Sequence, residues 1–507
     1  MRTYRYSPLT TLQNQSASCL LTTGRLFPST PPAYYGGDRI NAVRLAFRRA
    51  FRGYQAHAWG HDEVRPVTGG WKGQRNNWGA TIFDALDTLI IMNLTEEFKA
   101  AREHVKNVRF TDTDDYVVQV FETTIRYLGG LISAYDLTKD KVFIDKAVQL
   151  ADILLPAFDT PFGIPLHSVD IKAGKGVDSH YRHKSSSLAE IGSLQLEFRK
   201  LSEITGNNIY DKKAQKVIDI LKQKKSELAL PGLYPIHIDP YSLKFTTTHV
   251  TWGGHGDSFY EYLLKHYLLT NGERSDVLDM WKTAVNTTKE RLISGVKDFS
   301  DLTFVTQWKD NKAIYKMEHL ACFMGGNILL GGKALKDNSL IELGLNLTES
   351  CYRTCYSTAT GLGPEIFAWI PTNGKESLFM SRVQRKMSRL VGFYPVNYGY
   401  YLRPEVIESL FYAYRITGNA KYQDWGWEIF KSIERYCSTE IAYSGINDVS
   451  DPMGAWDDTA ERQVIVVFFF YAETLKYLYL LFSDVNVISL DEYVLNTEAH
   501  PFKIISH

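Results

Sequence analysis

The stretch Leu402–Asn419, Leu-Arg-Pro-Glu-Val-Ile-Glu-Ser-Leu-Phe-Tyr-Ala-Tyr-Arg-Ile-Thr-Gly-Asn, organises the reading of the chain. Pro404 suits the first position of a helix, where its missing N–H costs nothing. Val406, Ile407, Leu410, Phe411 and Tyr414 then recur at helical spacing and make a buried face. Gly418-Asn419 ends the helix, because both residues tolerate a left-handed C-cap. Glu405 and Glu408, three residues apart, share one face near the helix start. Carboxylates there can simply complement the helix dipole, so this stretch alone leaves their role open.

Working outward, the 507 residues are 44% hydrophobic, 22% charged and 13% aromatic, as in a folded globular protein. The 31 Tyr and 10 Trp suit either sugar binding or a large core. Zero formal net charge argues against a protein built mainly to bind nucleic acid. Met1–Gly37 reads as a poorly ordered lead-in, rich in Ser, Thr and Pro. No targeting segment and no membrane span is visible. The most apolar long run, Val464–Phe482, is interrupted by Glu473 and Lys476. Four Asn-x-Ser/Thr tripeptides, at Asn14, Asn93, Asn286 and Asn346, fit a secretory setting without establishing one. Five cysteines, Cys19, Cys322, Cys351, Cys355 and Cys437, include no Cys-x-x-Cys pair, which disfavours zinc or redox chemistry.

From Asp38 onward the pattern is mostly helical. The expected helices are Arg39–Tyr54, Thr81–Met92, Thr95–Val105, Tyr116–Asp136, Lys141–Leu155, Ser185–Thr205, Ile209–Lys224, Gly256–Leu269, Glu273–Ile293, Met317–Leu330, Ser339–Cys355, Pro404–Thr417, Tyr422–Cys437 and Ala460–Phe482. Related connectors recur between neighbours, as in Tyr135–Asp140, Leu201–Asn207, Leu268–Gly272 and Tyr414–Asn419. Short turns of this kind make antiparallel helix pairs, and about seven such pairs fit a ring of α-hairpins. An open solenoid would be more uniform. It would lack the long inserts Phe158–Lys184, Leu228–Gly254 and Gly361–Tyr401, which are expected to decorate one mouth of the ring and to carry some strand, as in Lys244–Thr251.

Acids recur at helix starts and in the inserts: Asp62, Glu63, Asp84, Asp87, Glu122, Asp257, Glu365, Glu405, Glu408, Glu473 and Glu498. Glu122 sits among Val118, Phe121 and Ile125, and Glu473 among Phe469, Phe470 and Leu475. A carboxylate in such surroundings is costly unless paired or used. Glu122 can pair with Arg126 one turn on. Asp257 can cap its own helix. Several carboxylates, many aromatics and no nucleophile motif point instead to hydrolysis of a glycosidic bond. That reaction needs an acid on the leaving oxygen and a second carboxylate for water or for the sugar carbon.

The blocks Trp59–Pro66, Asp84–Leu89, Phe121–Tyr135, Gly256–Lys265, His319–Phe323, Leu402–Trp427 and Leu495–Pro501, in this order, resemble glycoside hydrolase family 47, the class I α-1,2-mannosidases of N-glycan processing. The resemblance runs from about Arg39 to Pro501. It implies an all-α (α/α)7 barrel, an inverting mechanism, high-mannose N-glycans on glycoproteins as substrate, and Ca2+ at the barrel floor. By motif, Glu122 looks like the general acid acting through a water, and Glu405 like the base. Asp257 resembles a third catalytic carboxylate and an alternative acid. Glu365 and Glu408 resemble acids lining the sugar pocket, and Arg126, His319 and Phe469 resemble residues that contact the terminal mannose. Thr497 resembles the one direct protein ligand of Ca2+, with Glu473 and Glu498 holding waters around it. Cys322 and Cys351 look like the family's disulfide, and Cys355, one turn beyond Cys351, is the rival partner.

His255 departs from the pattern. Two residues before the catalytic Asp, Arg is expected in single-mannose-trimming enzymes and Leu in the broader Golgi type, so linkage preference is open. The family's N-terminal anchor is not seen in this sequence. The resemblance implies a monomer in the secretory pathway, in the ER or Golgi lumen, or a secreted one. The alternative function is a weakly catalytic, glycan-binding quality-control protein of the ER-degradation-enhancing type on the same barrel. A helical-repeat scaffold for protein partners is a third reading, and it predicts no buried acids at the ring centre.

Overall fold

A computed structural model describes residues 38–506 apart from 74, 114, 179–183, 377 and 454–468. The lead-in Met1–Gly37, Cys19, Asn14 and the first half of the expected helix Ala460–Phe482 lie outside the described residues.

Seven helical stretches face one another around a closed ring. In chain order they are Ala80–Ile91, residues 120–138, Gln195–Thr205, Asp257–Leu269, Phe323–Leu335, Glu405–Thr417 and residues 469–482, the last closing against the first. Each backs onto an outer helix. Six outer partners follow directly: Thr95–Asn107, Lys141–Leu154, Ile209–Gln223, Ser275–Arg291, Asn338–Tyr356 and Lys421–Tyr436. The seventh, Arg39–Ala58, precedes the ring and packs on Leu475–Phe482. The chain from Asp38 makes one compact unit.

The recurrent connectors do what their residues allow. Gly206 and Gly418 take φ of 73° and 69° at C-caps, and Lys139 and Asn271 take φ of 59° and 47° in equivalent turns. These tight turns lie at one end of the barrel. The longer connections from outer to inner helices lie at the other and form its mouth. Gly130 lets two inner helices approach: a Cβ there would stand 2.3 Å from the carbonyl oxygen of Phe83.

Several expected helices start later than their pattern suggests, because their first residues pair as strands. Val117–Gln119 is a strand against Ser168–Asp170, and the helix begins at Val120. Lys316–Glu318 pairs with Ile366–Trp369, a turn His319–Cys322 comes next, and the helix proper is Phe323–Leu335. Ser185–Thr205 breaks at Ser193-Leu194, where Ser193 Oγ donates to Ser258 Oγ at 2.8 Å and Gly192 lies against Phe259. Ile293 belongs to the strand Ile293–Val296, paired with Phe299–Val305, so its helix ends at Arg291. Pro404 is the N-cap residue, one position earlier than expected. Lys244–Thr251 makes only single bridges, Phe245 to Ile238 and Val250 to Trp308. The insert Gly361–Tyr401 contains an unexpected helix, Arg382–Val391. Its signal was present as a capping box: Ser381 and Gln384 bond each other's backbone N–H.

The C-terminal hairpin, Tyr493–Leu495 paired with Pro501–Lys503, enters the ring from the end opposite the mouth. Ile505 N–H donates to the carbonyl of Leu269, the last residue of its inner helix, at 2.9 Å. The hairpin tip is set by Asn496, which is fully buried. Its Oδ1 accepts from the N–H groups of Glu498 (2.9 Å) and His500 (2.8 Å), and its Nδ2 donates to Ile125 O (3.0 Å) and Glu197 Oε1 (2.7 Å). Asn496→Ala should therefore lower the thermal midpoint by several degrees. Each buried backbone group left unpaired costs roughly 1–3 kcal/mol. A melt superimposable on that of the parent would mean that the tip does not depend on this amide.

Candidate active site

The mouth is lined by the first turns of inner helices. Glu122 lies three residues into the helix that begins at Val120, Asp257 and Glu405 open theirs, and His319 opens the turn before Phe323. Glu365 comes from the connection ahead of the strand Ile366–Trp369. Arg126, Glu261 and Glu408 sit one turn deeper, about 5 Å along the axis.

Glu405 is clamped. His319 Nδ1 lies 2.7 Å from Oε2, and Arg403 Nη1 lies 3.6 Å from Oε1. Burial works to raise this carboxyl, but the His319 hydrogen bond and the Arg403 charge outweigh it and hold it below its ordinary value. The same Arg403 donates from Nε to both oxygens of Glu365 at 2.7 Å, so one guanidinium ties the two acids together.

Glu122 is also clamped. Its Oε2 lies 2.9 Å from Arg126 Nε, and its Oε1 lies 3.1 Å from Arg75 Nη2. The helical ion pair offered by the sequence therefore forms, and a second arginine joins it. Burial raises this carboxyl, but the two guanidiniums more than offset it and leave it lowered. Arg126 continues to Glu498 Oε1 at 2.5 Å and Asp84 Oδ2 at 3.5 Å, bridging the mouth to the floor.

Among the described residues, no cation is one of the groups that act most strongly on Asp257. Its Oδ1 accepts from Ser258 N–H at 2.8 Å, the local capping contact expected of such a residue. Burial, and then the carboxylates of Glu318, Glu261 and Glu405, push it up to about 7 against that hydrogen bond. Glu261 is paired with Lys265, which also lies 3.9 Å from Glu408 Oε1. Glu408 accepts from Tyr477 O–H at 3.2 Å. Burial, helped by Glu261 and Glu405, still pushes it up to about 8 against Lys265.

Toward the floor, Glu473 is raised well above its ordinary value by burial, then by Glu498, Glu405 and Glu408. Glu498 is pushed up to about 8 by burial, against Arg126 and with help from Asp84 and Glu122. Its Oε2 is buried and has no hydrogen-bond partner. Thr497 is half-buried at the hairpin tip, and its backbone N–H donates to the Tyr262 hydroxyl at 3.4 Å. Phe469 is buried at the start of the last inner helix. Among the described residues no three His, Cys, Asp or Glu side chains are placed to ligate one ion directly.

The structure thus links Glu122, Arg126, Asp257, His319, Glu365, Glu405, Glu408, Glu473 and Glu498 through one chain of contacts and charges. His255 stands at the exposed rim with φ of 73°, its ring 5.2 Å from that of His237. Cys322 and Cys351 form a disulfide, with Cα atoms 5.9 Å apart, while Cys355 and Cys437 are buried thiols. Arg75, Arg403, Glu261, Lys265 and Glu318 escaped the sequence reading as site residues. Arg403 was within reach, two residues from Glu405, and Glu261 lies one turn from Asp257. Arg75 belongs to an irregular connection with no periodic signal, and Glu318 ends the strand Lys316–Glu318, where the apolar pattern suggested helix.

Asp257 makes stability depend on pH. The folded chain keeps its proton to about pH 7, whereas an unfolded aspartate loses it near pH 4. The folded state binds the extra proton across that window, so this residue removes stability as pH rises through it. Asp257→Asn should match the parent in denaturant melts at pH 4 and exceed it at pH 8, by up to about 4 kcal/mol. A difference that does not change with pH would contradict the charge environment described.

A family model described as glycosyl hydrolase family 47 matches residues 46–504. A mannosyl-oligosaccharide α-1,2-mannosidase of Coccidioides posadasii is 40% identical, with 92% of this chain and 91% of the relative covered. Human mannosyl-oligosaccharide 1,2-α-mannosidase IB is 39% identical, over 92% of this chain and 70% of the relative. The solved structure of an α-1,2-mannosidase from Trichoderma reesei superposes with a TM-score of 0.87 at 36% identity, covering 92% of this chain and 99% of that one.

Proposed function

The chain belongs to glycosyl hydrolase family 47, and on that premise we propose how its own side chains carry out the reaction. It is an α-1,2-mannosidase that hydrolyses terminal α-1,2-linked mannose from high-mannose N-glycans. The observation that carries the mechanism is the opposed protonation of two carboxyls at one mouth. Glu405 is held ionised by His319 and Arg403, while Asp257 is pushed up to about 7. Environments that drive two acids apart mark an acid and a base.

In this proposal Glu405 takes a proton from the attacking water, and the glycosidic oxygen leaves with a proton from the opposite side, inverting the anomeric centre. The resemblance gives the donor role to Glu122 through a water. Two guanidiniums keep Glu122 ionised, so we assign the proton to Asp257, which retains one near neutrality. Glu122 then orients Arg126 toward the sugar. Arg403, shared by Glu365 and Glu405, fixes the pocket acid relative to the base.

The floor suits a hard cation, because a buried carboxylate oxygen of Glu498 has no partner and Glu473 faces other acids. Thr497 would hold Ca2+ directly through its carbonyl and hydroxyl oxygens, with Glu473 and Glu498 acting through water. Bound there, the ion would grip two sugar hydroxyls and favour a distorted ring. The disulfide, the exposed Asn93, Asn286 and Asn346 sequons and the glycan substrate support a place of work in the secretory pathway lumen or outside the cell.

Incubation with a nine-mannose oligosaccharide should release mannose, first as the β-anomer by NMR, and a chelator should suppress the release. Release of the α-anomer would overturn inversion. Asp257→Asn should lose about 10²–10⁴ in rate on the oligosaccharide, the worth of a positioned acid. It should act nearly normally on α-mannosyl fluoride, whose leaving group needs no proton, while Glu405→Gln should fail on both. Rescue by the fluoride of Glu122→Gln instead would return the acid role to Glu122. Excess calcium should raise the thermal midpoint of the parent, the linkage being worth about 2.7 kcal/mol at a hundredfold excess over Kd. Thr497→Ala should lose most of that gain; identical melts of the two proteins with calcium and with chelator would remove Thr497 from the ion.

A further inference from the structure

The segment 375–396 is unlike the rest of the surface. It carries Lys375, Arg382, Arg385, Lys386 and Arg389 against the single acid Glu376. Glu376 is engaged by Arg389, Nε to Oε1 at 2.8 Å, and by Arg385 at 4.0 Å, while Lys375, Arg382 and Lys386 are exposed. The helix Arg382–Val391 buries only Ser388, so it lies along the surface of the protein. Its bases occupy one flank. Val383 and Leu390, 58% and 64% exposed, share the other. Leu378 and Phe379, in the turn before it, are 91% and 98% exposed, and Val396 in the following strand is 48% exposed. Exposed apolar groups gathered in one short segment beside a basic flank suit an interaction surface.

We propose that this surface seats the protein on an anionic phospholipid bilayer, with the helix in the plane of the headgroups. A peptide partner would dock into a groove with pockets for its side chains. Side chains as exposed as Leu378 and Phe379 project outward and cannot line one. Projecting apolar groups beside a basic flank match an interfacial helix: the hydrocarbon enters the acyl boundary and the bases meet the phosphates. The segment belongs to the connection that also supplies Glu365.

Flotation of the purified chain with phosphatidylcholine vesicles, with and without phosphatidylserine, tests this. Binding is expected only with the anionic lipid and should weaken as salt rises. Arg382→Gln with Lys386→Gln should weaken it roughly twenty-five-fold, at about fivefold for each basic residue near such a surface. Leu378→Ser with Leu390→Ser should abolish what binding remains at high salt. All variants should keep the parent's melting point and its rate on a soluble nine-mannose oligosaccharide. A parent that floats with neither vesicle, or variants that float as well as it does, would overturn the proposal. So would variants that lose rate only on intact glycoprotein without any vesicle binding, which would make the surface a polypeptide dock instead.

Discussion

Everything at the centre of this barrel rests on His500. The imidazole is wholly buried between two aspartates of the first inner helix, 2.7 Å from Asp87 Oδ2 and 3.2 Å from Asp84 Oδ1. Burial disfavours its charge, but Asp87 and the two hydrogen bonds prevail and raise it. Asp87 also takes Lys476 at 2.8 Å and is held down to about 2, against its own burial, by Lys476 and His500. Lys476 in turn donates to the carbonyl of Ala499 at 2.8 Å. Two helices far apart in sequence and the chain's last hairpin are thus fastened by charges that would each be intolerable alone. Without that fastening the ring would be open at both ends, and water would screen the charges above it.

From this lock the acids divide by what they face. Asp87, Glu122 and Glu405 have cations in contact and are lowered. Asp257, Glu408, Glu473 and Glu498 have too little positive charge nearby for their burial and are raised. The arginines that make the division, Arg75, Arg126 and Arg403, are each positioned between acids from different elements. Their planar forks let one side chain serve two carboxylates.

The hairpin architecture was legible because it rests on local chemistry: apolar spacing along helices, and Gly or Asn at left-handed C-caps such as Gly206, Gly418 and Asn271. The acids were legible for a different reason, that Glu122 and Glu473 are out of place among apolar neighbours. Three things were not legible. The strands Val117–Gln119 and Lys316–Glu318 owe their form to partners about fifty residues away, which periodicity cannot see. Arg75 lies in a connection whose conformation comes from Asp62: its carboxylate accepts from the N–H groups of Arg75, Asn77, Gly79 and Ala80. Glu197 reads as an ordinary helical acid, yet it is fully buried, pushed up to about 7 by burial, and bonded by Asn496 and by Tyr262 O–H at 2.7 Å.

The helices on either side of Ala80–Ile91 explain why the acids face inward at all. Residues 123–128 come after Glu122 as a π-helical turn, and residues 470–474, which include Glu473, form another. Such turns insert one residue into an α-helix and rotate the rest of the helix about its axis; they recur at functional sites. An uninterrupted α-helix of residues 120–138 would rotate either the acid end or the close-packed Gly129-Gly130 end away from the axis. Gly129 must remain inward, since a Cβ there would stand 2.7 Å from Asn496 Nδ2. The widened turn satisfies both demands, letting Glu122 point to the cavity while the glycines receive the hairpin. The same geometry explains how repelling carboxylates survive in a stable fold. They are carried by helices whose other faces are apolar and tightly packed, so the repulsion is concentrated on one axis. There a sugar's hydroxyls, rather than the protein's own groups, are left to answer it.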